Sequence, residues 1–213
     1  VTLAARLPRS IVDLNRAASE IDPGAVDCNP GRTPTPRALA GLGVIPRVVS
    51  GARPIRLSPI PLTEARRRID SYWRPYHATL RGLIDESLAR FGWAIVIDMH
   101  SMPHDAISHL VPPLPEDVIG DRHGASCGPA LREMICTLLR QAGFRLRLNA
   151  PFSGAYMTNA YGRPAQNVHV LQIEIDRDLY LDAGRMQPSD GYDALAERLC
   201  HVLARAARFL FFF

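Results

Sequence analysis

The sequence predicts a three-layer α/β domain, and three observations carry that reading. The run Trp93-Ala94-Ile95-Val96-Ile97 is continuously apolar, as in a strand covered by helices on both faces. Before it, Ile69, Trp73, Tyr76, Leu80, Leu83, Ile84 and Leu88 recur at three- and four-residue steps, which is helical spacing. After it, strand-like and helix-like segments alternate to the end of the chain, the order expected of helices packed on a sheet.

Taken in order, Arg9 to Leu14 reads as a short buried strand ending in Asp13-Leu14-Asn15-Arg16. Residues 17–61 are rich in Pro, Gly and Asp without periodicity, and so read as one long irregular excursion. Thr63 is placed to cap a helix that Pro75 should kink or divide and Gly92 should end. Residues 93–99 then form a central strand, and 101–118 a Pro-rich loop. Ile119 to Asp121 reads as a brief edge strand, and Pro129 to Ala142 as a helix closed by Gly143. Phe144 to Leu148 is a strand, 149–167 a loop, Val168 to Ile175 a strand, and Gly191 to Arg208 the last helix. The apolar tail Phe209 to Phe213 has no assigned role.

Composition excludes several classes. At 213 residues, 47% hydrophobic and 22% charged, the chain is long enough for a single folded domain and too apolar for disorder. No apolar run approaches the roughly 18 residues that span a bilayer, and no secretory leader is visible, so the expected setting is cytoplasmic, with no membrane partner. Net charge is +4, with all 25 basic residues arginine and none lysine. These arginines are scattered, and the densest run, Arg66 to Arg68, reads as a solvated helix face. No nucleic-acid partner is expected; a small acidic substrate suits the charge. Cys28, Cys127, Cys136 and Cys200 form no C-x-x-C pair and read as core residues or free thiols.

Open α/β sheets bind ligands beyond the carboxyl ends of their strands, and three such ends carry polar residues. At the first, Asn15 and Arg16 offer an amide and a planar fork suited to a carboxylate, or else anchor a loop. At the second, Asp98 and His100 lie two apart and face the same way. The imidazole can ligate a metal with Asp98 orienting it, or be an ordinary satisfied polar residue. His104 and His109 read as loop histidines. At the third, Gln172 and Glu174 share one face of an apolar strand. Glu174 is then either part of a buried ion pair, with Arg177 or Arg122, or a catalytic base tuned by its surroundings.

In combination these blocks resemble one family. Asp98-Met99-His100-Ser101-Met102-Pro103 is similar to the D-x-H-S-M-P signature of the N-formylglutamate amidohydrolases. Arg9-Ser10-Ile11-Val12-Asp13-Leu14-Asn15-Arg16 resembles their R-x-x-V-D-L-N-R, and Tyr72 to His77 their Y-[WH]-x-P-Y-H. Gly120 to Gly124, Asn149 to Tyr156 and His169 to Tyr180 follow in the same order. The resemblance runs from about residue 6 to residue 200.

The resemblance implies an α/β/α domain over residues 1–213, with a mixed, mostly parallel sheet of the zinc-carboxypeptidase and aspartoacylase type. It implies zinc held in part by His100, with Glu174 activating the zinc-bound water and passing its proton to the leaving amine. Asn15 and Arg16 would grip a substrate carboxylate, and the reaction would convert N-formyl-L-glutamate to formate and L-glutamate in histidine breakdown. The family's further P-H-[SA]-G stretch has no counterpart in the eight residues before Arg9, which contain neither His nor carboxylate. The expectation is therefore a chain lacking the family's first strands, its other zinc ligands upstream of Val1. The alternative is a truncated, inactive relative.

Overall fold

A computed structural model describes residues 1–28 and 33–210. Phe211 to Phe213 and part of the irregular stretch, 29–32, lie outside the described residues. The chain divides into two compact units, Val1–Phe91 and Gly92–Phe213.

In the first unit no strand forms at residues 9–14. Asp13 is the reason: it closes an ion pair with Arg9 four residues earlier (2.8 Å) and accepts from the Asn15 N–H (2.9 Å). Both bonds curl the backbone into a turn, and Asp13 N–H reaches across to the Val44 carbonyl. Val12 nevertheless enters a core with Val26, Val44, Ile45, Ala65 and Ile69. The described part of the excursion at 17–61 is irregular as expected, apart from two-residue ladders, a 3-10 turn at Ser50–Ala52 and a helical turn, Pro36–Leu39, capped by the Thr35 hydroxyl.

Helix α1 (Leu62–Arg68) begins two residues earlier than a Thr63 cap implies, with Pro61 at its cap. Arg66 and Arg67 are exposed, and Arg67 and Arg68 both pair with Glu64, so this run is the solvated face the sequence indicated. A π turn, Ile69–Trp73, joins it to α2 (Arg74–Phe91). Pro75 has no N–H to donate to the preceding turn, and the helix widens just ahead of it, with Arg74 N–H reaching back to Ile69. Gly92 ends the helix at φ +78.

The second unit holds a four-stranded mixed sheet built from β1 (Ala94–Met102), β2 (Asp117–Gly120), β3 (Leu146–Leu148) and β4 (Val168–Asp176). Its order is β1-β4-β2-β3, with β1 parallel to β4, β2 antiparallel to β4, and β3 parallel to β2. Two expectations are corrected here. Within this sheet the strand that carries the apolar run at 93–99, expected to be central, is at an edge and β4 lies inside, while β2, expected at an edge, is interior and wholly buried. Helix α3 (Pro129–Gln141) forms as expected, and residues 149–167 are less irregular than expected, containing a short helix, α4 (Tyr156–Tyr161).

Alternation sorts the sheet into two faces. Ile97, Leu171, Ile173, Ile175 and Ile119 point to one side, where they pack with Ile135, Cys136, Leu138 and Leu139 of α3. Leu195, Val202 and Ala206 of α5 (Tyr192–Leu210) complete that core. Cys127 and Cys136 are buried, Cys28 is half-buried and Cys200 exposed; burial pushes the Cys127 thiol up to about 12, so it stays protonated and inert. The opposite face carries Asp98, His100, Gln172 and Glu174.

Candidate active site

Register places the polar residues in rungs across three strands. Asp98 lies opposite Gln172, which lies opposite Gly120; His100 lies opposite Glu174, which lies opposite Val118. Directly paired residues share a face, so Asp98, His100, Gln172 and Glu174 form one polar patch on the sheet. His100 Nε2 and Asp98 Oδ1 are 2.8 Å apart. Gln172 Nε2 donates to Glu174 Oε1 at 2.8 Å, and both side chains are buried. That donor presents the Glu174 carboxylate in a fixed orientation. Arg177, one of the ion partners considered for Glu174, engages the Ser101 hydroxyl and carbonyl (3.2 and 3.3 Å).

The patch is walled by chain from the next crossover. Gly120 is required here: a Cβ would fall 2.6 Å from Gly154 N and 2.7 Å from the Ser153 carbonyl carbon. Beyond β2 the backbone is left-handed at Arg122, His123 and Gly124. Asn149 holds this loop, accepting from Asp121 and His123 N–H while donating to Asp121 Oδ1. Burial pushes the Asp121 carboxyl up, but bonds from Asn149, the Gly124 N–H and Arg132 together hold it below its usual value.

In the first unit, Asn15 and Arg16 are both buried. Arg16 Nε donates to the Leu42 carbonyl (2.9 Å) and one terminal nitrogen to the Asn15 carbonyl (2.7 Å), with Asp13 3.9 Å away. Burial lowers its pKa, against the opposing pull of Asp13. These bonds make Arg16 at least a loop anchor. Its backbone is held in turn by the Y-W-x-P-Y-H block: Trp73 Nε1 donates to the Arg16 carbonyl (2.8 Å), and His77 Nε2 lies 2.9 Å from the Leu14 carbonyl. The two rings stack with centroids 3.9 Å apart. Sequence reading quoted both blocks without joining them.

A second group escaped sequence reading altogether. His104, read as a loop residue, forms a short turn with Asp105 and Ala106 just past β1. Its Nδ1 lies 2.7 Å from Asp176 Oδ2 and 3.6 Å from Asp178 Oδ2. Hydrogen bonding to Asp176 raises the His104 pKa. One ligand atom from each of the three residues falls within 4.8 Å of the others, so this group could hold a metal ion. His109 is exposed, as expected of a loop histidine.

Zinc at His100 fits less well. A catalytic zinc takes three protein ligands and an open position, and among the described residues no such group of three includes His100.

The model of the N-formylglutamate amidohydrolase family matches residues 1–181. The chain belongs to that family. It is 33% identical over 184 residues to an N-formylglutamate deformylase of Pseudomonas putida, and 34% over 187 residues to one of Pseudomonas aeruginosa. Those alignments cover 84% and 85% of this chain but 64% of each relative, so the chain spans under two thirds of their length. The crystal structure of an N-formylglutamate amidohydrolase from Ralstonia eutropha JMP134 superposes with a TM-score of 0.86 at 34% identity, covering 94% of this chain and 74% of that one. A protein of Agrobacterium tumefaciens shares the fold at 17% identity and a TM-score of 0.60, covering 96% of this chain and 69% of that one. No helix among the described residues is long and apolar enough to cross a membrane.

Proposed function

We propose that this amidohydrolase-family chain carries the machinery for hydrolysing the amide of an N-formyl acidic amino acid, with N-formyl-L-glutamate as substrate and formate and L-glutamate as products. The observation that carries the reading is the rung that sets His100 against Glu174 in a partly buried polar patch, inside a chain matched by the family over residues 1–181. The names of the Pseudomonas relatives support the substrate. We take residues 1–213 as one amidohydrolase domain of the expected α/β/α, carboxypeptidase type, in which α3 and α5 supply the helical layer on one face of the mixed sheet.

In this reading Glu174 is the general base. Its carboxylate takes a proton from the attacking water and returns it to the leaving nitrogen as the C–N bond breaks. Gln172 holds the carboxylate in place, and Asp98 fixes the imidazole of His100. Asn15 and Arg16 bind the substrate carboxylate, Arg16 with the donors that Leu42 and Asn15 leave over. Zinc at His100 is the family expectation; because the described residues do not complete a ligand set there, no step is assigned to it.

The test is release of formate from N-formyl-L-glutamate by the 213-residue chain with and without added Zn²⁺. Turnover that disappears in Glu174→Gln supports the reading. Turnover unchanged in that variant overturns the role of Glu174. No turnover at any metal concentration favours the inactive alternative.

A further inference from the structure

The family resemblance puts the metal at His100, yet the described residues gather a possible ligand set one step further along the same strands. Met102 lies opposite Asp176 in the β1–β4 ladder, two residues on from the His100–Glu174 rung. That step is about 6.6 Å of strand. The chain then leaves both strands in short turns, one bringing His104 and the other Asp178 toward the Asp176 carboxylate.

Several features prepare this cluster. Asp178 N–H donates to Asp176 Oδ1 (3.2 Å), which leaves Oδ2 for the imidazole. The turn carrying His104 is pinned on both sides, because Met102 and Ile107 are buried in a small core with Val118. Asp176 itself is buried, whereas the Asp178 side chain is 57% exposed and His104 37%, so water can reach one side of the group. Two carboxylates face one imidazole. The group therefore carries net negative charge even when His104 is protonated, and Asp105 next to it adds more. Arg177 lies between the two aspartates in sequence, but its guanidinium engages Ser101.

We propose that His104, Asp176 and Asp178 form a divalent-cation site for an ion of the zinc or manganese class, separate from His100. One imidazole nitrogen and two carboxylate oxygens are a donor set such ions accept, with remaining positions left to water. On binding, the cation takes the place of the Nδ1 proton now shared with Asp176. The inference concerns where an ion binds and does not depend on the amidohydrolase reaction.

The experiment is calorimetric titration of the chelator-stripped 213-residue chain with ZnCl₂ and with MnCl₂, repeated on three variants. The expected result is one saturable equivalent in the parent chain. His104→Gln and Asp178→Asn should each weaken it by about tenfold or more, whereas His100→Gln should leave the first equivalent within about twofold. Asp178 is exposed and outside the core, so Asp178→Asn tests the site even if His104→Gln proves unstable. Absence of saturable binding overturns the proposal. So does affinity indifferent to Asp178→Asn, or a first equivalent lost only in His100→Gln.

Discussion

His100 and Glu174 stand directly opposite one another on adjacent parallel strands, two rungs before the last pair, Met102↔Asp176. An imidazole and a carboxylate so paired are held by backbone hydrogen bonds and not by side-chain flexibility. Each has a polar neighbour on its own strand, Asp98 for His100 and Gln172 for Glu174. The patch is therefore set before any substrate arrives, which is the condition for positioned acid–base chemistry.

Glu174→Gln is expected to keep the shape of the site and remove its base. The substituted amide retains an oxygen to accept from Gln172 Nε2, so the melting temperature should move little. Formate release should fall by about a hundred- to ten-thousand-fold, the usual contribution of a general base. Parallel thermal melts and formate assays check both halves of this expectation.

Much of this arrangement was legible in the sequence. Both long strands, the helix of α3 and the stop at Gly143 follow from local pattern, and the Asp98–His100 pair follows from two-residue alternation. Strand order was not legible, because an apolar run such as 94–97 looks the same at an edge and in the interior. The turn at 9–14 was missed because Arg9 and Asn15 both draw on Asp13, a competition that apolar alternation does not record. His104 was missed for a different reason. Its partner Asp176 lies 72 residues away, and only parallel pairing of β1 with β4 brings the two strand ends together. Pairing the two C-terminal strand ends on paper would have found it.

Asp117 should make stability depend on pH. It is fully buried on β2, and both carboxyl oxygens lack a hydrogen-bond partner. Burial, with Glu116 adding repulsion and Arg198 partly offsetting it, pushes its pKa from 3.8 to about 7. The folded state thus prefers the protonated acid. Its contribution is fully present below the unfolded value, is lost as pH rises through about 7, and is constant above that. The total is on the order of 4 kcal/mol. Denaturant midpoints measured from pH 4 to 9 should show this decline, and Asp117→Asn should flatten it.

Trp73→Phe tests the link between the two N-terminal blocks. It preserves the ring stacked near His77 but removes the Nε1–H that donates to the Arg16 carbonyl at 2.8 Å. A half-buried acceptor losing its donor should cost about 1–2 kcal/mol, read as a lower denaturant midpoint. If Arg16 binds the substrate carboxylate, KM should rise as well, with kcat changing less.

Gly120→Ala should disturb the wall of the site through backbone contact alone. A methyl group there would meet Gly154 N at 2.6 Å and the Ser153 carbonyl carbon at 2.7 Å, and main chain cannot rotate away as a side chain can. Relief requires Ser153 and Gly154 to lift from the sheet. Gly154 is itself constrained, at φ +112 and against Thr158. Overpacking of this kind costs about 1–3 kcal/mol. The variant should melt lower than the parent, and amide exchange should quicken at Arg122, whose N–H is bonded to the Ser153 carbonyl at 2.7 Å. An unchanged melting temperature with unchanged exchange would show that this backbone crossing is looser than the 2.6 Å approach demands.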